Sequence, residues 1–102
     1  MQHVRVALYT TKPGVVDEAI RRAEEGLAPL FRSQPGFVAY GVIKTGAESL
    51  ISVSIWQSEQ QATAAVQTAA DWVRQNLADQ VTSVSNHVGD LSFFSSLAPI
   101  GS

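Results

Sequence analysis

No cysteine occurs among the 102 residues, which excludes disulfides and thiolate-bound metal and permits a reducing cytoplasm. Basic residues are scarce: Arg5, Lys12, Arg21, Arg22, Arg32, Lys44 and Arg74 stand against nine acids, for a formal charge of −2. Most of these cations fall between positions 12 and 32 and are interleaved with acids, so they build no convergent cationic face of the kind nucleic acid requires. No apolar run reaches the roughly 18 residues of a membrane span. The start, Met1-Gln2-His3-Val4-Arg5, lacks the basic-then-apolar layout of a signal peptide. The expectation is a cytoplasmic protein with neither a membrane nor a nucleic-acid partner. Metal-binding patterns are missing too, since His3 and His87 lie at opposite ends with no ligand-spaced acids beside them. There is no Gly-rich phosphate loop and no nucleophile elbow.

What remains is an ordinary globular composition, 45% apolar and only 16% charged, without repeat or linker. Positions 1–102 read as one domain. A chain of this size buries roughly 65% of its unfolded surface, enough for one modest core. Residues 3–10 alternate, with Val4, Val6 and Leu8 on one side and His3, Arg5, Ala7 and Tyr9 on the other, the period of a half-buried strand. Pro13 marks a helix start. Gaps of three and four then link Val16, Ala19, Ile20, Ala23, Leu27, Leu30 and Phe31, predicting a helix over 14–32 that weakens at Gly26 and Pro29. Gln34-Pro35-Gly36 turns into a strand over 37–44, and Thr45 to Glu48 connects it to a return strand over 50–56. Ser58 with Gln61 forms a capping box. The helix it opens carries Ala62, Val66, Ala69, Ala70, Val73 and Leu77, and a last strand runs from Val81 to about Phe94 with an interruption near Gly89-Asp90.

This βαββαβ order predicts an α+β, ferredoxin-like sandwich: a four-stranded antiparallel sheet with two helices on one face. Strand 37–44 is apolar on both sides, Phe37, Ala39 and Ile43 against Val38, Tyr40 and Val42. Leaving the second set in water forgoes roughly 1.5–3 kcal/mol per side chain. The expected cover is the sheet of a second copy, making a homodimer. The competing cover is the tail, whose Leu91, Phe93, Phe94, Leu97 and Ile100 are too apolar to hang free.

Lys12-Pro13-Gly14, the turn Gln34-Pro35-Gly36-Phe37 and the run Ile55-Trp56-Gln57-Ser58-Glu59 give the chain a resemblance to the antibiotic biosynthesis monooxygenase-like group of dimeric α/β barrels. The resemblance spans about 4–94 and rests on structural motifs. It implies a homodimer packed sheet to sheet, with a ligand pocket between sheet and helices. Members so resembled include cofactor-free oxygenases of polycyclic aromatic or quinol substrates and haem-degrading enzymes. The haem degraders carry an asparagine on strand one and a tryptophan-histidine pair on helix two, whereas this chain has Trp72 without either partner.

Oxygenation without metal or flavin needs an ionisable phenol or enol, an apolar slot, a base and donors for the developing anion. Tyr9, Tyr40, Trp56, Trp72, Arg74, Asn86 and His87 are the polar and aromatic residues for such a slot. His87 is the base by chemical type, its competing reading being an idle edge-strand histidine. Trp56 and Trp72 offer stacking faces, with core packing the competing reading for Trp56. Trp72 should border the pocket beside the alanines of helix two. Asn86 and His87 are neighbours on a strand, so only one can reach the pocket. The sequence thus supports a cofactor-independent, monooxygenase-like protein for an aromatic or quinol-type molecule. The alternatives are a non-catalytic binding or stress-response protein and an assembly subunit. A His87 projecting into solvent favours the binding protein.

Overall fold

In a computed structural model, residues 1–95 are described, and they run β1 (His3–Thr11), α1 (Val16–Arg22), a π-helical segment (Ala23–Leu27), α2 (Ala28–Arg32), β2 (Phe37–Gly46), β3 (Ser49–Trp56), α3 (Glu59–Asn76) and β4 (Val81–Asp90). The four strands make one antiparallel sheet in the order β2-β3-β1-β4, and the helices cover one face. This is the ferredoxin-like α+β sandwich. No helix among the described residues is long and apolar enough to cross a membrane.

Local chemistry explains the joints. Pro13 and Gly14 form a turn ahead of α1 rather than its first turn, with Gly14 at φ 79°. Gly36 sits at φ 80° in the turn before β2, where its missing Cβ also leaves room for the Gln61 side chain. Gly36→Ala should therefore destabilise the fold by more than the 1–2 kcal/mol of a left-handed backbone alone, read as a lower denaturation midpoint. Ser58 caps α3, its Oγ accepting from the Gln61 backbone N–H at 3.2 Å. The first helix is not interrupted at Gly26 or Pro29. It passes through the π-segment and continues to Arg32. On its wet side Glu18 pairs with both Arg21 and Arg22, while Asp17 reaches across to Lys44 at 2.8 Å.

The sheet is oriented opposite to its hydrophobic pattern. Arg5, Ala7, Tyr9 and Thr11 of β1 and Leu50, Ser52, Ser54 and Trp56 of β3 are the buried, helix-covered set. In register behind them, Val4, Val6 and Leu8 lie beside Ile55, Val53 and Ile51 on the uncovered face. On β2, a register shift near Val38 puts Tyr40 and Val42 opposite Ser54 and Ser52, toward the helices. The side assigned to a partner from the sequence is thus the covered one; Ala39, Gly41 and Ile43 look outward instead. Under the helices lie two apolar clusters. Ala7, Tyr9, Val16, Ala19, Leu50 and Leu77 form one, and Leu27, Phe31, Trp56, Ala62, Ala65 and Ala69 the other.

β4 shifts register with β1 near Thr82, runs unbroken through Gly89 and stops at Asp90 rather than near Phe94, with Leu91 N–H still bonded to the Gln2 carbonyl at 2.8 Å. Phe93 and Phe94 are 82% and 55% exposed, so the tail is not folded onto the body there. Leu97 and Ile100 lie outside the described residues.

Candidate functional site

An arginine on a strand that alternates with Ala7 and Tyr9 is carried to the same side as they are. Arg5 is consequently fully buried, at 0% exposure. Its Nη1 donates to Ser52 Oγ at 3.1 Å and to Ser54 Oγ at 3.5 Å, and its Nη2 donates to Tyr9 Oη at 3.2 Å. The guanidinium carbon lies 5.4 Å from the Phe31 ring centre, a cation–π distance. Nε has no partner. Among the described residues no carboxylate pairs with this charge. Burial accordingly lowers the Arg5 pKa, with Tyr9 and Tyr40 opposing the shift. Burial raises both tyrosines; Arg5 pulls Tyr9 back, while a hydrogen bond from Ser52, and then Arg5, pull Tyr40 back.

In front of this group lies a narrow cavity between sheet and helices, about 20 Å³ in volume. Tyr9, Tyr40 and Ser52 form its polar wall, and Trp72, Leu27 and Val42 are among its apolar ones. Trp72 leans against Gly26 in the π-segment, where a Cβ would stand 2.8 Å from the indole ring. π-Segments of this kind recur at functional sites. At the β2 edge, a groove of about 300 Å³ lined by Glu24, Arg32, Gly41 and others shares Ile20, Tyr40 and Val42 with the cavity walls. A groove of that size reaches the lower range of small-molecule pockets.

Of the residues selected from the sequence, Tyr9, Tyr40 and Trp72 meet at this cavity. Trp56 does not reach it. Its ring is packed edge-on against Phe31 and Phe37 and its Nε1 donates to Ser54 Oγ at 2.9 Å. Asn86, paired in register with Ala7, is on the helix side, in a separate groove of about 140 Å³ with Tyr9, Val73, Arg74 and Val84. His87 pairs with Val6 on the uncovered face and is exposed, its Nε2 hydrogen-bonded to Ser85 Oγ at 3.0 Å. The expected meeting of His87 with Trp72 therefore does not occur, because strand parity puts them on opposite sides of the sheet. Sequence reasoning passed over Arg5 and Ser52. The available signal was that both share the phase of Ala7 and Tyr9 or of Leu50 and Trp56.

A model of the antibiotic biosynthesis monooxygenase family matches residues 2–70. Comparison with curated proteins gives no match. Among solved structures, a Nitrosomonas europaea protein of unknown function superposes with a TM-score of 0.77 at 18% identity, over 96% of each chain. SnoaB, a cofactor-independent oxygenase from Streptomyces nogalater, gives 0.66 at 14% identity, over 96% of this chain and 98% of that one. A Shewanella oneidensis protein gives 0.68 at 20% identity, over 86% and 88%. At these identities the superpositions speak for the fold.

Proposed function

The chain belongs to the antibiotic biosynthesis monooxygenase family, and on that footing we propose that it is a homodimeric, cofactor-independent oxygenase of aromatic or quinol-type phenols. The observation that carries this reading is the apolar cavity between sheet and helices that Trp72 lines together with Tyr9, Tyr40 and Ser52. The lining suits a flat, mostly apolar molecule with one or two hydroxyls. Since about 20 Å³ holds only a water-sized group, seating the ring requires the cavity to widen toward the groove of about 300 Å³ that shares Ile20, Tyr40 and Val42.

The reaction needs no outside reductant. A phenol with hydrogen on its para carbon gives up four electrons to dioxygen and becomes a quinone. One oxygen atom forms the new carbon–oxygen bond, the other leaves as water, and the ring C–H and phenolic O–H supply its two protons. The protein's share is to seat the ring, exclude bulk water and hold the ionised oxygen. Trp72, Tyr9 and Tyr40 are the residues we assign to the ring. Asn86 is assigned to the neighbouring groove and Trp56 to the packing beneath it.

Oxygen consumption with a panel of hydroquinones and polyketide-like phenols tests the proposal. Turnover stoichiometric in oxygen supports it; binding without oxygen uptake would leave a binding protein of the same fold. That second reading draws on one observation, the exposed His87, which offers no base to the cavity. Trp72→Ala should weaken phenol binding by roughly 0.5–1.5 kcal/mol beyond the lost contact area. His87→Gln should leave both binding and turnover unchanged, and loss of turnover alone would restore His87 as the base.

The dimer draws support from the uncovered face, where Val4, Val6, Leu8, Ile51, Val53 and Ile43 form one apolar surface. Exposed apolar surfaces of this extent mark interaction sites. The tail after Asp90 leaves the sheet at β4 with Phe93 and Phe94 exposed, and we assign it to the same partner.

A further inference from the structure

A guanidinium has only hydrogens to give, so any hydroxyl it touches must accept. Arg5 thereby fixes the roles of its neighbours. Tyr9 Oη and Ser52 Oγ both accept from it, and Ser52 in turn hydrogen-bonds Tyr40, so the hydroxyl protons left to point elsewhere are those of Tyr9 and Tyr40. Both residues line the cavity and Arg5 does not. Tyr9 directly, and Tyr40 by way of Ser52, thus stand between the cavity and a buried positive charge that has no carboxylate among the described residues.

A cation in this position is costly unless something anionic completes it. Ser54 cannot, since its oxygen already accepts from both Arg5 and Trp56. Tyr9 and Tyr40 do not ionise to complete it, because burial holds both phenols toward the neutral form. The missing partner is an anion delivered from the cavity side.

The geometry points to Arg5 as the positioning residue of an oxyanion site, which binds the phenolic ligand as its phenolate through Tyr9 and, by way of Ser52, through Tyr40. This rests on the aromatic-ligand reading above and adds the charge state of that ligand. It also removes the need for a side-chain base. A site that prefers the anion tenfold lowers the bound phenol's pKa by one unit.

The test is a spectroscopic titration of 4-nitrophenol, whose phenolate band reports ionisation, alongside its neutral methyl ether, 4-nitroanisole. With the unmodified protein, the bound phenol should ionise at least one pH unit below the free one, and the ether should bind at least tenfold more weakly than the phenolate. Arg5→Met should abolish the shift and Arg5→Lys should restore part of it. Tyr9→Phe and Ser52→Ala should each reduce it, so the test survives if Arg5→Met does not fold. A bound phenol that ionises at its free value or above, or an unchanged shift in folded Arg5→Met, overturns the oxyanion site and leaves the aromatic cavity standing. Failure of both probes to bind overturns the two together.

Discussion

Val53→Glu is expected to turn a particle of twice 10.9 kDa into one of that mass by light scattering at micromolar concentration. Val53 sits mid-strand on the uncovered face, between Val6 on β1 and Gly41 on β2. If that face meets a second copy, a carboxylate there is buried without a partner, at a cost of about 3–5 kcal/mol. Two-fold symmetry places the same charge twice in one interface. The substitution leaves the helix-covered core untouched, so far-UV circular dichroism should be preserved. An unmodified protein that already runs as a monomer would dispose of the dimer. A Val53→Glu variant that remains a dimer would move the interface elsewhere.

Trp56→Ala should be the most damaging single truncation in the covered core, lowering stability by about 3–5 kcal/mol. Trp56 is 1% exposed and its ring meets Phe31 at 5.3 Å and Phe37 at 5.5 Å, both edge-on. It therefore holds α2, β2 and β3 together at one point. Against a total of roughly 5–15 kcal/mol for a domain, that loss leaves little margin. Urea unfolding at one protein concentration measures it. The contrast with Trp72 separates the roles of the two indoles. Trp72→Ala should spare most of the stability and lose ligand affinity, because Trp72 is only partly buried and faces the cavity. Equal stability losses for the two would mean that both are core residues.

Much of the fold was legible in short-range chemistry. Alternation gave the strands, Ser58 and Gln61 gave the start of α3, and Pro35-Gly36 gave the turn before β2. The order of elements then left one sensible sheet. Which face the helices cover was not legible, because the alternation is symmetric between its two phases. Val4, Val6, Leu8, Ile51, Val53 and Ile55 are the more apolar phase of β1 and β3, yet the helices cover Arg5, Ala7, Tyr9, Ser52 and Ser54. The same inversion hid the site. A single arginine among valines reads as the wet side of a strand, and two serines opposite it read the same way. Only the pairing of β1 with β3 shows that they form one buried group. His87 failed for a related reason: neighbouring strand positions differ by a face, and the register of β4 is fixed by β1 rather than by its own sequence.

The underwound turn under Trp72 has a consequence for the helix as a whole. Val16, Ala19, Ala23, Leu27 and Phe31 are the buried residues on its inner side, separated by one gap of three and three gaps of four. At about 100° per residue, the 31 − 16 = 15 steps from Val16 to Phe31 overrun four full turns by about 60°. A uniform helix would swing Phe31 off the sheet by that angle and break its contact with Trp56. The segment from Ala23 to Leu27 takes more residues per turn and cancels part of the overrun. It acts as a phase correction, letting one helix address the two clusters at opposite ends of the sheet. Gly26, inside that correction, is also where any side chain would collide with the Trp72 ring. The width of the cavity and the rotational phase of its roof are therefore set by the same five residues.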